Sequence, residues 1–182
     1  MSNMITILNF SPRTNGNCEQ ITQYIKDFHS ESIVKIYHIE SNVTPCSACD
    51  YECLKPGSVC PGITDYLREL MQDICASERA YYIVPNFCGY PNATFFAFNE
   101  RRVALMKETR AVYPGIEKKF IIVSNTESEC FAQAMRQQVA GDPDMLYLKS
   151  GKYKKQSTAG DILTSQEAQA DLKAFLESKA SV

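Results

Sequence analysis

The sequence predicts an α/β fold in which a parallel sheet of five strands lies between two layers of helices. Two observations carry this expectation. Five apolar runs recur along the chain, most of them short, continuous and rich in β-branched or aromatic residues, as strands covered on both faces require. Between them lie segments whose apolar residues repeat at helical spacing, and such alternation implies right-handed βαβ crossovers and an open sheet. A length of 182 residues with 45% hydrophobic content suits one domain, 1–182, whose core forms without disulfides.

The first run is Ile5-Thr6-Ile7-Leu8. After it, Asn17 precedes Ile21, Tyr24, Ile25 and Phe28, a helical stripe, with Gln20 placed to complete a capping box. The second run, Ile33 to Ile39, carries Lys35 and His38 and so suits a sheet edge. Ile63, Tyr66, Leu67, Leu70, Met71, Ile74 and Cys75 form the second stripe, with Cys75 facing inward. The third run, Tyr81 to Val84, leads toward a helix from about Asn99 to Thr109. The fourth, Phe120 to Val123, precedes a helix boxed by Thr126 and Glu129, with Phe131, Ala134, Met135 and Val139 inward. The fifth, Met145 to Leu148, lies within the most loop-like stretch, Gly141 to Thr164. Thr164 and Glu167 box the last helix, which carries Ala168, Leu172, Phe175 and Leu176. Two strand orders are common for this pattern, and both place ligands beyond the carboxyl ends of strands at a switch point.

Lys plus Arg is 19 and Asp plus Glu is 21, a near balance that argues against a nucleic-acid binder. The start, Met1-Ser2-Asn3-Met4-Ile5, lacks the basic and apolar regions of a secretory signal. No run approaches the ~18 apolar residues of a membrane span, so the expectation is a soluble, cytoplasmic protein with no membrane partner. Eight cysteines in that setting are expected to be reduced thiols. Lys149, Lys152, Lys154 and Lys155 read as a solvated face, with a nucleotide-phosphate contact as the sharper alternative.

The loop Asn9-Phe10-Ser11-Pro12-Arg13-Thr14-Asn15-Gly16-Asn17-Cys18 runs from the first strand to a helix N-terminus. Free backbone N–H groups and the positive end of the helix dipole favour an anion there. Ser11, Asn15 and Asn17 offer side-chain donors, and Arg13 adds charge and a planar fork. The loop has neither the Gly-x-Gly-x-x-Gly of dinucleotide folds nor the Gly-Lys-Ser/Thr of P-loops. It resembles the N-G-S-P-R-x-x-G-N-T phosphate loop of the NADPH-dependent FMN reductase and iron–sulfur flavoprotein superfamily. Pro45-Cys46-Ser47-Ala48-Cys49 is similar to that family's P-C-x-x-C loop, and Pro85-Asn86-Phe87-Cys88-Gly89 to its P-x-Y-x-G flavin-ring loop. The three segments fall in the family's order between residues 4 and about 110; beyond them the match is architectural. Phe10, Cys18 and Phe87 stand where the family usually has Gly, Thr and Tyr, and a thiol is a poorer donor to a phosphate than a hydroxyl.

The resemblance implies a flavodoxin-like three-layer sandwich with strand order 2-1-3-4-5, FMN as cofactor, NAD(P)H as electron donor, and a homodimer or homotetramer. In that order the first and third strands are neighbours, so the two loops flank one crevice. Ser11, Arg13, Asn15, Asn17 and Cys18 would hold the phosphate, and Pro85, Asn86, Phe87, Cys88 and Gly89 the ring. Gly89 lets backbone approach a planar ligand, and Pro85 stiffens the turn. Cys88 reads either as a small hydrophobe or as a thiol lining the site. Ser124 and Asn125 are placed to reach the pyrimidine edge, whereas Thr126 fits a helix cap equally well.

Cys46-x2-Cys49-x3-Cys53-x6-Cys60 places four thiols in one loop. Such spacing suits an iron–sulfur cluster or zinc, and reduced, unliganded thiols are the third reading. In the iron–sulfur flavoproteins the similar loop carries a [4Fe-4S] cluster, although its second spacing there is usually two residues. Cys130 and Arg136 mimic a phosphatase Cys-x5-Arg string but lie in a helical pattern without glycine. His29 and His38 have no Ser or Cys elbow beside them, which disfavours a hydrolase triad. The expected activity is hydride transfer from NAD(P)H to FMN and onward to a small-molecule or protein electron acceptor. A non-enzymatic electron-transfer flavoprotein and a domain that has lost FMN are the alternatives.

Overall fold

The computed structural model describes residues 3–39, 43, 45–46, 49–139 and 141–178. The chain runs β1 (Met4–Asn9), α1 (Asn17–Phe28), β2 (Ile33–His38), α2 (Asp65–Ala76), β3 (Arg79–Phe87), β4 (Tyr90–Pro91), α3 (Ala93–Arg102), α4 (Met106–Thr109), β5 (Glu117–Ser124), α5 (Glu129–Arg136), β6 (Asp144–Lys149) and α6 (Gln166–Glu177). Five strands pair in parallel in the order β2-β1-β3-β5-β6, while β4 adds to β3 antiparallel. Counting the parallel strands alone, this is the expected order 2-1-3-4-5, the flavodoxin-like arrangement. β2 is an edge strand with several side chains open to solvent, as Lys35 and His38 imply.

Alternate residues of each central strand feed different layers, because successive side chains point to opposite faces. Ile5 and Ile7 of β1, Tyr81 and Ile83 of β3, and Ile121 and Val123 of β5 pack on α1 and α6. Leu8, Tyr82, Val84, Phe120 and Ile122 pack on the other face, against α2, α3 and α5. Lys119, fully buried in β5, is held by Asp144 at 2.9 Å and by the Phe175 carbonyl and the Ser178 hydroxyl, both at 2.7 Å. It ties β5 to β6 and to the end of α6.

Several helix starts differ from expectation. α1 is capped by Gly16 without a side-chain bond, and Asn17 is its first helical residue. α5 starts at Ser128, whose hydroxyl accepts from the Cys130 N–H, and α6 at Ser165, which accepts from Ala168. Thr126 and Thr164, the expected caps, fall just before these positions. α3 begins at Ala93, six residues ahead of the expected start, then passes through a 3-10 turn, Val103–Leu105, into α4. Cys130 and Arg136 lie within α5, as their helical pattern requires.

Phe10 explains one departure from the family pattern. Its ring is fully buried, stacked on Tyr82 at 6.1 Å and edge-on to Phe95 at 5.2 Å and Phe98 at 5.6 Å. Its N–H donates to the Ile83 carbonyl at 3.0 Å, extending the β1–β3 pairing by one residue. The side chain thus anchors the end of β1 to β3 and α3. Phe10→Ala is expected to lower unfolding stability by ~3–5 kcal/mol, the usual cost of emptying a buried aromatic site. Urea denaturation checks this; a loss under about 1 kcal/mol would place the ring outside the core.

Candidate functional site

The β1–α1 loop is shaped by its own side chains before it meets any ligand. The Asn9 side-chain carbonyl accepts from the Ser11 N–H at 2.9 Å, and the Ser11 hydroxyl accepts from the Arg13 N–H at 3.2 Å. The Asn9 amide in turn donates to Glu19 and Thr22 of α1. Burial works against ionisation of Glu19, but hydrogen bonds from Gln23, His38 and Asn9 outweigh it and hold its pKa below the usual value. These bonds bend the chain so that the first turn of α1 faces the carboxyl end of the sheet. The N–H groups of Asn17 and Cys18 there have no acceptor among the described residues, as a helix start leaves them.

The side chains expected to grip an anion are engaged by the chain itself. Arg13 donates to the Thr158 carbonyl at 2.7 Å, and the buried Asn17 donates to the Ser157 carbonyl at 2.9 Å. The Asn17 side-chain oxygen accepts from the Ile162 N–H at 2.9 Å, and Gln20 donates to the Gly160 carbonyl. Gln20 therefore does not close a capping box.

Pro85, Asn86 and Phe87, expected in a loop, are the last residues of β3 and turn back through Cys88–Gly89 into β4. Both turn residues have left-handed backbone, φ 53° at Cys88 and 89° at Gly89, which a tight two-residue hairpin turn of type I′ demands. The Asn86 carbonyl oxygen accepts from the Gly89 N–H at 2.8 Å, and its amide donates to Ser124 at 2.5 Å. Asn86 thus holds the hairpin against β5. Ser124 and Asn125 are likewise occupied, Ser124 by the Thr126 backbone and Asn125 by the Ser150 hydroxyl.

Between the loop and the hairpin lies a crevice of about 160 Å³. Ser11, Arg13, Asn17 and Cys18 line one side, and Pro85, Asn86 and Phe87 the other. Of the residues expected at the site, the structure brings these seven together. Asn15 lines a separate hollow on the outer side of α1, and Cys88, Gly89, Ser124 and Asn125 border neither space. Val123, Ser157 and Thr158 line the crevice without having been expected. The Phe87 ring is 54% exposed at the lip, while Cys18 is buried. Burial pushes the Cys18 thiol up to about 12, despite the neighbouring Ser11 hydroxyl and Arg13 charge.

The four clustered cysteines hang beside α3. Cys46 is exposed, Cys49 and Cys53 are half-buried, and Cys60 is buried. Arg101 reaches the Cys60 sulfur at 3.8 Å and the Pro45 carbonyl at 2.8 Å, and Glu100 accepts from the Cys46 N–H at 2.8 Å. Ser47 and Ala48 of the Cys-x-x-Cys segment lie outside the described residues. Among the described residues, no three His, Cys, Asp or Glu side chains converge as metal ligands, so the thiols do not present a cluster's ligand set. No helix among them is long and apolar enough to cross a membrane.

No family model matches the chain, and no curated protein does. Solved structures do. The Trp repressor binding protein from Bacillus subtilis superposes with a TM-score of 0.60 at 10% identity, over 97% of this chain and 99% of that one. An azoreductase from Bacillus anthracis gives 0.53 at 11%, over 97% and 96%. The flavoenzyme NAD(P)H:(acceptor) oxidoreductase from Paracoccus denitrificans gives 0.52 at 13%, over 97% and 96%. At such identities the likeness establishes the fold: the chain is a flavodoxin-like α/β protein.

The raised pKa leads to a reactivity order. At about pH 8, iodoacetamide is expected to modify the exposed Cys88 in the folded protein and to spare the buried Cys18, since only the thiolate attacks. Peptide mass mapping checks this. Labelling of Cys18 at the rate of Cys88 would contradict the buried placement.

Proposed function

We propose that the chain is an FMN-dependent NAD(P)H oxidoreductase, a single FMN-binding domain spanning 1–182 that works in the cytoplasm as a homodimer or homotetramer. The observation that carries this reading is the crevice at the sheet's switch point, where open first-turn amides face a hairpin bearing an exposed aromatic ring. The fold neighbours support it: two are described as an NAD(P)H:(acceptor) oxidoreductase and an NADH:FMN oxidoreductase.

The residues present suit the phosphate end of FMN. The N–H groups of Asn17 and Cys18 donate at the positive end of α1, and Arg13 neutralises charge. Those amides do not depend on the side chain at position 18, so the thiol there leaves the main cradle intact. Arg13 and Asn17 already aim their donors at oxygen atoms, the Ser157 and Thr158 carbonyls, which stand in for phosphate oxygens. At the other end Phe87 offers an apolar face, and Asn86 fixes the hairpin so that the ring meets rigid backbone. A bound flavin supplies hydride acceptance and onward electron transfer. The protein's part is to orient that ring, exclude water beneath it and leave one face open to the nicotinamide and then to a small-molecule or protein acceptor.

Steady-state oxidation of NADH and NADPH by FMN-loaded protein tests the reading. Turnover with at least one donor is expected. Protein that retains FMN yet turns over neither donor would instead be an electron carrier. Arg13→Ala is expected to weaken FMN binding about tenfold without changing riboflavin binding. A charge-assisted hydrogen bond contributes ~1.5–3 kcal/mol, and the bond to Thr158 in the free protein offsets part of it. Equal losses for FMN and riboflavin would move the phosphate away from this loop.

A further inference from the structure

We propose that Ser157–Gly160 is an internal latch that occupies the phosphate-binding donors in the free protein and must be released before a phosphate monoester can enter. The inference rests on reading the β1–α1 loop as a phosphate site. Within this one short segment, the carbonyls of Ser157, Thr158 and Gly160 take hydrogen bonds from Asn17, Arg13 and Gln20 respectively. The Gly160 carbonyl is fastened to Gln20 of α1, and the partly negative Ser157 and Thr158 oxygens sit against the loop whose charge and amides favour an anion. Phosphate oxygens and these carbonyls compete for the same donors.

The segment is built like a strap between two pegs. Tyr153 is buried, with its hydroxyl donating to Asp171 at 2.8 Å, and Ile162 is fully buried in the core formed with α1 and α6. Of the eight residues between them, four are exposed and only Gly160 is buried. Releasing it uncovers little apolar surface and leaves both pegs in place. The closest approach is at Gly160, with φ +72°, where an added Cβ would stand 2.8 Å from the Asn15 carbonyl. The same strap limits the space. Ser157 and Thr158 form part of the wall of the 160 Å³ crevice, which falls short of the ~300–1,000 Å³ typical of small-molecule sites. Opening enlarges the crevice and frees Arg13 and Asn17 in one movement.

A binding-competent form that is only partly populated lowers apparent affinity by its population. Gly160→Ala places a methyl group against backbone and favours the released form. FMN binding is expected to tighten about tenfold in this variant, whereas riboflavin, which gains the space but has no phosphate for the freed donors, is expected to gain less.

Hydrogen exchange over residues 157–162 of the unaltered protein provides the second readout, because the Ala159 N–H inside the closed strap is held by the Gln156 carbonyl at 3.2 Å. Exchange is measured with FMN and, separately, with inorganic phosphate. Faster exchange with both ligands, together with tighter FMN binding by Gly160→Ala, supports the latch. Faster exchange with phosphate alone, without FMN binding, keeps the latch and removes the flavin reading. FMN binding with 157–162 as protected as before, or no gain in Gly160→Ala, overturns the latch and leaves the flavin reading standing. Failure of both ligands to bind either form overturns both.

Discussion

The position of β1 between β2 and β3 is the constraint on which the rest of the molecule depends. Asn9 at its carboxyl end pairs with His38 on one side and Ile83 on the other. From that end the chain leaves toward α1 on one face, whereas the chain leaving β3 passes to α3 on the other. Two connections that part to opposite faces of neighbouring strands must leave a gap between them. The residues on which the proposed function rests lie on the rim of that gap.

The rim is kept rigid from below. Phe10 fastens the end of β1 into an aromatic cluster with Tyr82, Phe95 and Phe98, and so fixes the loop above it. Asn86 fastens the opposite hairpin to Ser124. The third wall is different in kind. It joins the rim through polar contacts to backbone carbonyls, which water or a phosphate can replace, while apolar contacts at Tyr153 and Ile162 hold its ends. Rigid walls on two sides and an exchangeable third fit a site that admits a large anionic cofactor.

Much of this was legible in the sequence. The central strands β1, β3 and β5 announced themselves because strands buried on both faces carry continuous apolar runs, and Lys35 and His38 marked β2 as an edge. Helix starts were harder, since Thr126 and Ser128, or Thr164 and Ser165, are chemically equivalent caps and only the backbone decides between them. Crowding of Phe95, Phe96 and Phe98 hid the period of α3. Asn86 and Phe87 looked like a loop because the pairing that makes them strand comes from Tyr90–Pro91, across a turn, while Pro85 is strand through Val123 of β5.

The crevice residues divide along the same line. Ser11, Arg13, Asn17 and Cys18 could be read from one local segment. Ser157 and Thr158 could not, because they meet that loop across some 140 residues of chain and carry no periodic signal. The hydroxyl-rich tripeptide Gln156-Ser157-Thr158 in a loop-like stretch was the one available hint. The cysteine loop shows the converse: spacing suggested a ligand set, but side-chain convergence is a property of the fold, and the thiols of the described residues lack it.

The central claim is that the gap beside β1 holds FMN. The visible absorption spectrum of the protein as purified, and again after incubation with FMN and removal of the excess, tests it most directly. The account predicts flavin bands that travel with the protein at close to one FMN per chain. A protein that stays colourless after incubation would contradict it.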